Sequence, residues 1–295
     1  MQLIDSFKDK QFQESGFLKF DNFLDTEQLL QLKEFYKNSK LGDTNGGLYT
    51  NIQDLSYDES LLIENEIVRI CEKSIKKYLQ YYKIVGATFL LKGIGDKSES
   101  MLHQDWSIVD EKKYRSALIW IPLVDVDENN GCLQVIPNSH HWFYSIRSSS
   151  VKSIFLKLNY LVNPFLKALP MKQGAAAIFY MKLFHGSKTN NTNAVRPAIT
   201  LTVIDEKADF NLYVKNKNDD IDVIHCDRKF LYNYAFNFQE IASQQNVELN
   251  VIRTIPESTK YIVTKEMLLN KIYTEKINRF TGSFLAKIVS WFNKF

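Results

Sequence analysis

The sequence predicts a mainly β protein flanked by helices, with a β-sandwich or barrel at its core. Three observations carry this. Between Lys83 and Ile204 short apolar runs alternate with turn dipeptides and polar loops. Before Lys83 the apolar residues recur at helical spacing instead. At 295 residues and 45% hydrophobic content, the chain can bury a full core as one domain with insertions, or as one and a half.

Residues 1–82 read as helical support. Asp25 and Gln28 have the spacing of a capping box, and Leu29, Leu32, Phe35 and Tyr36 follow at helical intervals. Lys40–Ser56, with Gly42, Gly46 and Gly47, reads as a loop. A second helix is expected from about Ser60 to Tyr82, with Ile63, Ile67, Ile70, Cys71 and Tyr78 on one side. Such helices would cover the outer face of a sheet.

Residues 83–204 form the core. Val85–Lys92 is a strand, and Gly93–Ser100 is a polar loop. Arg115–Val124 is a strand in which Pro122 points to an edge or a bulge. Asn130-Gly131 predicts a hairpin turn, with Cys132–Pro137 returning antiparallel. Gly174–His185 and Arg196–Ile204 are two further strands, joined by the polar turn Ser187–Asn193. The insertion 142–172, with Phe143, Phe155, Leu158, Leu161, Phe165 and Leu169, reads either as a helical segment packed on the barrel or as a lid that recognises substrate.

Residues 205–260, which include Phe230, Tyr232, Tyr234, Phe236 and Phe238, are expected to form a small extension beside the mouth of the site. The tail, 261–295, pairs Leu268, Leu269, Ile272, Phe280, Phe284, Leu285, Ile288, Trp291 and Phe292 with lysines 265, 271, 276, 287 and 294. A basic amphipathic helix of this kind either packs on the body or docks to an anionic membrane or a partner.

A net charge of +3, with acids and lysines interspersed, is too small to argue for nucleic acid, and no nucleic-acid partner is expected. Cys71, Cys132 and Cys226 show no CxxC spacing, which fits reduced thiols. The first residues, MQLIDSFKDKQF, lack the pattern of a signal peptide, and no apolar run reaches the ~18–20 residues needed to span a bilayer. A cytoplasmic protein is expected, with any peripheral membrane contact made through the tail.

The chemistry concentrates in Met101–Asp110, MLHQDWSIVD. On an extended segment His103 and Asp105 point the same way, because side chains alternate faces. H-x-D triplets are common in solvated loops, so the second segment, Phe184–Thr202, is what gives this one weight. It offers His185 as a third ligand and Arg196 eleven residues later. Two imidazoles and a carboxylate form the 2-His-1-carboxylate set that binds Fe(II) and leaves coordination positions open. A structural zinc site would favour four ligands, usually with thiolates.

Taken together, HQD, the segment WIPLVDVDENNGCLQVIPNSH (Trp120–His140) and HGS…VRPAIT resemble the phytanoyl-CoA dioxygenase family of Fe(II)/2-oxoglutarate oxygenases, over roughly residues 85–204. The resemblance implies a double-stranded β-helix (jelly roll) and Fe(II), 2-oxoglutarate and O2 as cofactors. It makes His103, Asp105 and His185 the metal ligands and catalytic set. Arg196 would pair with the distal carboxylate of 2-oxoglutarate, the alternative being an internal salt bridge, and the Ser187 hydroxyl would bond the same carboxylate. Trp120 matches a family tryptophan near the co-substrate, a core indole being an equal reading. Lys92 stands where the family often has Lys-Pro, but Gly93 replaces the proline. The PNSHH turn with His140 and His141 resembles a structural turn of the family, and His225 has no motif around it.

The implied reaction converts 2-oxoglutarate to succinate and CO2 while hydroxylating an unactivated C–H bond of a small-molecule or lipid-like substrate. Related halogenases lack the carboxylate ligand, so Asp105 favours hydroxylation. Gln104, Trp106 and Tyr49 are candidate substrate contacts by position. Two rivals predict something different. A cupin-type metal protein that does not use 2-oxoglutarate should set an acid against Arg196, and a non-catalytic binding protein should have lost a ligand.

Overall fold

The computed structural model describes residues 1–151, 154–155, 158–234, 249–256 and 263–274. In chain order the elements are β1 (Gln2–Leu3), α1 (Ser6–Ser15), β2 (Phe17–Phe20), α2 (Thr26–Asn38), β3 (Leu48–Thr50), α3 (Tyr57–Tyr78), β4 (Leu79–Gln80) and β5 (Tyr82–Lys92). Then come β6 (Ser100–His103), β7 (Ser116–Pro122), β8 (Gln134–Val135), α4 (Asn159–Val162), β9 (Lys167–Ala168), β10 (Ala176–Tyr180), β11 (His185–Ser187) and β12 (Arg196–Asp205). The last are β13 (Asn211–Lys215), β14 (Ile221–His225), α5 (Arg228–Tyr234) and β15 (Val251–Ile255), after which residues 265–274 are helical.

Two antiparallel sheets form the jelly roll. The major sheet has the order β2-β10-β7-β12-β5-β3, and the minor sheet β6-β11-β8-β9. Alternation along the major strands sorts their side chains between two environments. Leu90, Leu118, Trp120, Phe179, Arg196 and Thr200 line the cavity between the sheets. Phe89, Ile119, Ile199 and Leu201 belong to the main core, with Phe35 and Tyr36 of α2 against Phe89 and with buried Ile63, Ile67 and Ile70 of α3. The helices thus cover the outer face of the major sheet. The Asp25–Gln28 capping box forms as expected, its two bonds measuring 2.9 and 3.1 Å.

Several expectations are corrected. Residues 1–82 are not helical throughout, because Phe17–Phe20 pairs with β10 as an edge of the major sheet. The Lys40–Ser56 loop contains β3, which pairs with β5 at the opposite edge. Pro122 marks neither an edge nor a bulge: β7 lies between β10 and β12, and Pro122 is its last residue, where the missing N–H matters least. Asn130-Gly131 makes a turn, with Gly131 at φ +71°, but not a hairpin. β7 and β8 belong to different sheets, so the turn carries the chain across the roll.

The described part of the insertion 142–172 is mostly irregular, with one short helix, one 3-10 turn and β9, which forms an edge of the minor sheet. Trp142, Phe155 and Val162 form a separate core with Leu102, Ile136 and Phe184 of the minor-sheet region, joined by Leu268 and Ile272. No described residue of the insertion lines the cavity between the sheets. The helix 265–274 therefore packs on the body through Leu268 and Ile272, while Phe280, Phe284, Leu285, Ile288, Trp291, Phe292 and the lysines beyond 274 lie outside the described residues, as do Phe236 and Phe238. Among the described residues no helix is long and apolar enough to cross a membrane.

Besides the small β1-β4 pair there is a further sheet in residues 205–260, β13-β14-β15, packed beside the segment that follows Asp105: Asn211 N–H donates to the Ile108 carbonyl at 2.9 Å, and the Tyr213 hydroxyl to the Val109 carbonyl at 3.0 Å. All three cysteines are buried and unpaired.

Candidate metal centre

Strand pairing brings the two histidines together. His103 closes β6 and His185 opens β11, and the two face each other in register, with ring centroids 4.3 Å apart. Asp105 follows just beyond β6. Its Oδ1 lies 3.7 Å from His103 Nε2 and its Oδ2 3.7 Å from His185 Nε2. The three ligand atoms all fall within 4.8 Å of one another.

The proton positions follow from the neighbours. His103 Nδ1 faces the Met101 carbonyl at 2.7 Å, and His185 Nδ1 faces the Leu183 carbonyl at 3.0 Å. A carbonyl only accepts, so each Nδ1 carries the proton and each Nε2 keeps its lone pair toward Asp105. Burial lowers His185 to about 4, with the neighbouring His103 adding to that and Asp105 opposing it, so its ring is neutral. Asp105 Oδ2 is buried with no hydrogen-bond partner. A carboxylate oxygen in that condition calls for a cation. Two imidazole nitrogens and a carboxylate oxygen suit a divalent first-row metal with further positions left free. The donor set fits.

The cavity occupies about 260 Å³. Besides the three ligand residues it is lined by Ser187 and Arg196, and Trp120 lies beneath the guanidinium, with Cζ 5.0 Å from the ring centre. Arg196 is buried; among the described residues its Nε has no partner, and its one hydrogen bond, from a terminal nitrogen to the Gly131 carbonyl, is long at 3.3 Å. Among the described residues it makes no ion pair, and burial lowers it to about 10. Lys92, its partner in register on β5, is fully buried and donates to the Ser98 carbonyl. Burial first, then the Arg196 charge, lowers Lys92 to about 7. A buried guanidinium with no described acid against it makes this end of the cavity a receptor for an anion.

Three predicted substrate contacts do not line the cavity. Tyr49 is corrected to a core residue: on β3 alternation turns Leu48 to the cavity and Tyr49 inward, where its hydroxyl accepts from Gly42 N–H at 2.9 Å. Gln104 donates from its amide to the Lys182 carbonyl, bracing the turn before β11. Trp106 packs against the second core, with Val85, Ile108 and Phe210. Conversely, sequence reading missed the apolar walls, Leu90, Leu118, Leu133 and Phe179. Leu118 was within reach, two residues before Trp120 on the same strand face. His140 and His141 lie outside the cavity, each facing the Gln13 carbonyl through Nε2 at 2.9 Å, and His225 ends β14 exposed.

Comparison with solved structures finds partial similarities. HygX from Streptomyces hygroscopicus, with nickel and 2-oxoglutarate bound, is similar at 14% identity and a TM-score of 0.50, over 68% of this chain and 86% of that one. SnoN, the non-heme alpha ketoglutarate dependent epimerase from nogalamycin biosynthesis, shows 18% identity and a TM-score of 0.48, over 68% and 83%. EvdO2 from Micromonospora carbonacea var. aurantiaca, complexed with 2-oxoglutarate, shows 18% identity and a TM-score of 0.47, over 68% and 91%. No curated protein matches the chain. The phytanoyl-CoA dioxygenase (PhyH) family model matches residues 62–198, a span that contains His103, Asp105, His185 and Arg196. Over that span the chain is similar to the phytanoyl-CoA dioxygenase family.

Proposed function

We propose that the protein is an Fe(II)- and 2-oxoglutarate-dependent oxygenase that hydroxylates an unactivated C–H bond of a small-molecule or lipid-like substrate. One observation carries this reading: a single cavity is lined both by the three converging ligand atoms and by a buried guanidinium that no described acid neutralises.

His103 and His185 hold the iron through Nε2, and Asp105 through its carboxylate. When bound, iron, 2-oxoglutarate and O2 supply the oxidising power, with succinate and CO2 as co-products. Arg196 pairs with the distal carboxylate of the co-substrate, the Ser187 hydroxyl adds a hydrogen bond, and Trp120 supports the guanidinium from below. Leu90, Leu118, Leu133 and Phe179 keep water from the reacting groups. The His103 side chain is 43% exposed and His185 only 7%, so substrate approaches on the His103 side. With Asp105 supplying the third ligand, halide has no place on the metal, which favours hydroxylation.

A jelly-roll protein that does not use 2-oxoglutarate would have an acid against Arg196, and none stands there among the described residues. The test is anaerobic reconstitution with Fe(II) and 2-oxoglutarate, then admission of oxygen with fractionated metabolite extracts. Succinate release should rise with one fraction, and Asp105→Ala should abolish the rise. Equal turnover by that variant would refute the assignment.

A further inference from the structure

Asp105 lies past the end of β6, so no strand ladder holds its main chain. Two hydrogen bonds do. Its N–H donates to the Met181 carbonyl at 2.8 Å, and its carbonyl accepts from Arg147 Nε at 2.6 Å. Arg147 comes from the 142–172 insertion, and its terminal nitrogens donate to both oxygens of Glu111, at 2.7 and 2.9 Å, and to the Ser145 carbonyl at 2.8 Å. The backbones are joined as well: Ser107 N–H donates to the Arg147 carbonyl at 2.9 Å, and Arg147 N–H to Ser107 Oγ at 3.2 Å. Both charged side chains are buried, at 8% and 3% exposure. A guanidinium already matched by a carboxylate is no receptor for a substrate anion. What it has left to offer is the Nε–H, aimed at the main chain of a metal ligand.

We propose that Arg147 is a positioning residue for the Asp105 carboxylate, and that through it the insertion is coupled to the metal centre. The direction of the Asp105 side chain follows from its backbone dihedrals, and an unrestrained carbonyl would let that peptide rotate. Groups behind metal ligands typically alter metal affinity by ~10–100-fold. Lysine is no substitute, since a compact ammonium cannot bond both Glu111 oxygens and the Asp105 carbonyl as a planar fork does. The proposal rests on Asp105 being a metal ligand, as argued under Proposed function.

The experiment titrates Co(II) alone into the metal-free full chain, follows visible absorption, and records the unfolding temperature of each variant without metal. Arg147→Lys, which keeps the charge opposite Glu111 and so the fold, and Arg147→Met should both bind Co(II) roughly 10-fold more weakly. Glu111→Gln keeps the Nε–Asp105 bond and should lose unfolding temperature while holding Co(II) affinity within about twofold, on the same scale. Parent-like affinity in folded Arg147→Lys would overturn the proposal. So would an affinity loss in Glu111→Gln that matches the arginine variants, because Arg147 would then be merely structural. Asp105→Ala should lose Co(II) binding; were it to bind like the parent, the metal-centre reading itself would fail and take this proposal with it.

Discussion

At the scale of single residues, the functional contrast is between two buried positive groups treated differently. Arg147 has Glu111 on both terminal nitrogens, whereas Arg196 has, among the described residues, an aromatic face, one long hydrogen bond and an unpartnered Nε. An uncompensated buried charge destabilises the fold that holds it, so Arg196 is better explained by an anionic ligand than by packing. Arg196→Ala should therefore raise the KM for 2-oxoglutarate by roughly 10–100-fold, since a hydrogen bond to a charged group is worth about 1.5–3 kcal/mol. The unfolding temperature of the metal-free protein should hold or rise. Steady-state kinetics alongside calorimetry would separate the two effects; an unchanged KM would remove Arg196 from co-substrate binding. The resemblance of HGS…VRPAIT to the family could nominate this arginine, but not show that no described acid sits opposite.

At the scale of elements, the metal centre depends on how closely β11 approaches β6. Gly186 stands between His185 and Ser187, and a Cβ there would lie 2.7 Å from the Ser100 carbonyl oxygen and 3.4 Å from the Leu102 backbone. Neither neighbour is a flexible side-chain end, so the strands would have to part. Gly186→Ala should cost about 1–3 kcal/mol of stability and weaken metal binding as well, because the same pairing sets His185 opposite His103. Urea unfolding with a metal titration checks both; parent-like values in both would show that the ladder tolerates the shift. Elements were legible where their cause is local. Asp25 and Gln28 announced the start of α2, and alternation placed Arg196 and Thr200 on one face of β12. Asn130-Gly131 misled because turn chemistry specifies a bend and not the sheet in which the next strand finds its partner.

At the scale of the whole molecule, the fold buries imidazoles that cannot be charged where they stand. Burial takes His140 from 6.5 to about 3, with a bond to Gln13 opposing the shift and the His141 and Lys182 charges adding to it. His185 in the metal-free chain lies at about 4. Between those values and 6.5 the unfolded chain binds more protons than the folded one, so stability is lost as pH falls through that window. The urea midpoint of the metal-free protein should fall from pH 7 to pH 5, and His140→Gln should flatten part of that slope. A midpoint independent of pH over this range would contradict the burial argument.

The division between what the chain announced and what folding settled follows the range of the forces involved. Helix caps, strand alternation and the coordination chemistry of His103, Asp105 and His185 depend on residue type and short spacing, and they could be read along the chain. The crossover after β7, the packing of the 142–172 insertion against Leu102, Ile136 and Phe184, the absence of a described acid against Arg196 and the hold of Arg147 on Asp105 could not. Each depends on which distant surfaces win the competition for burial and which buried charges find partners, and only the closed roll resolves that competition.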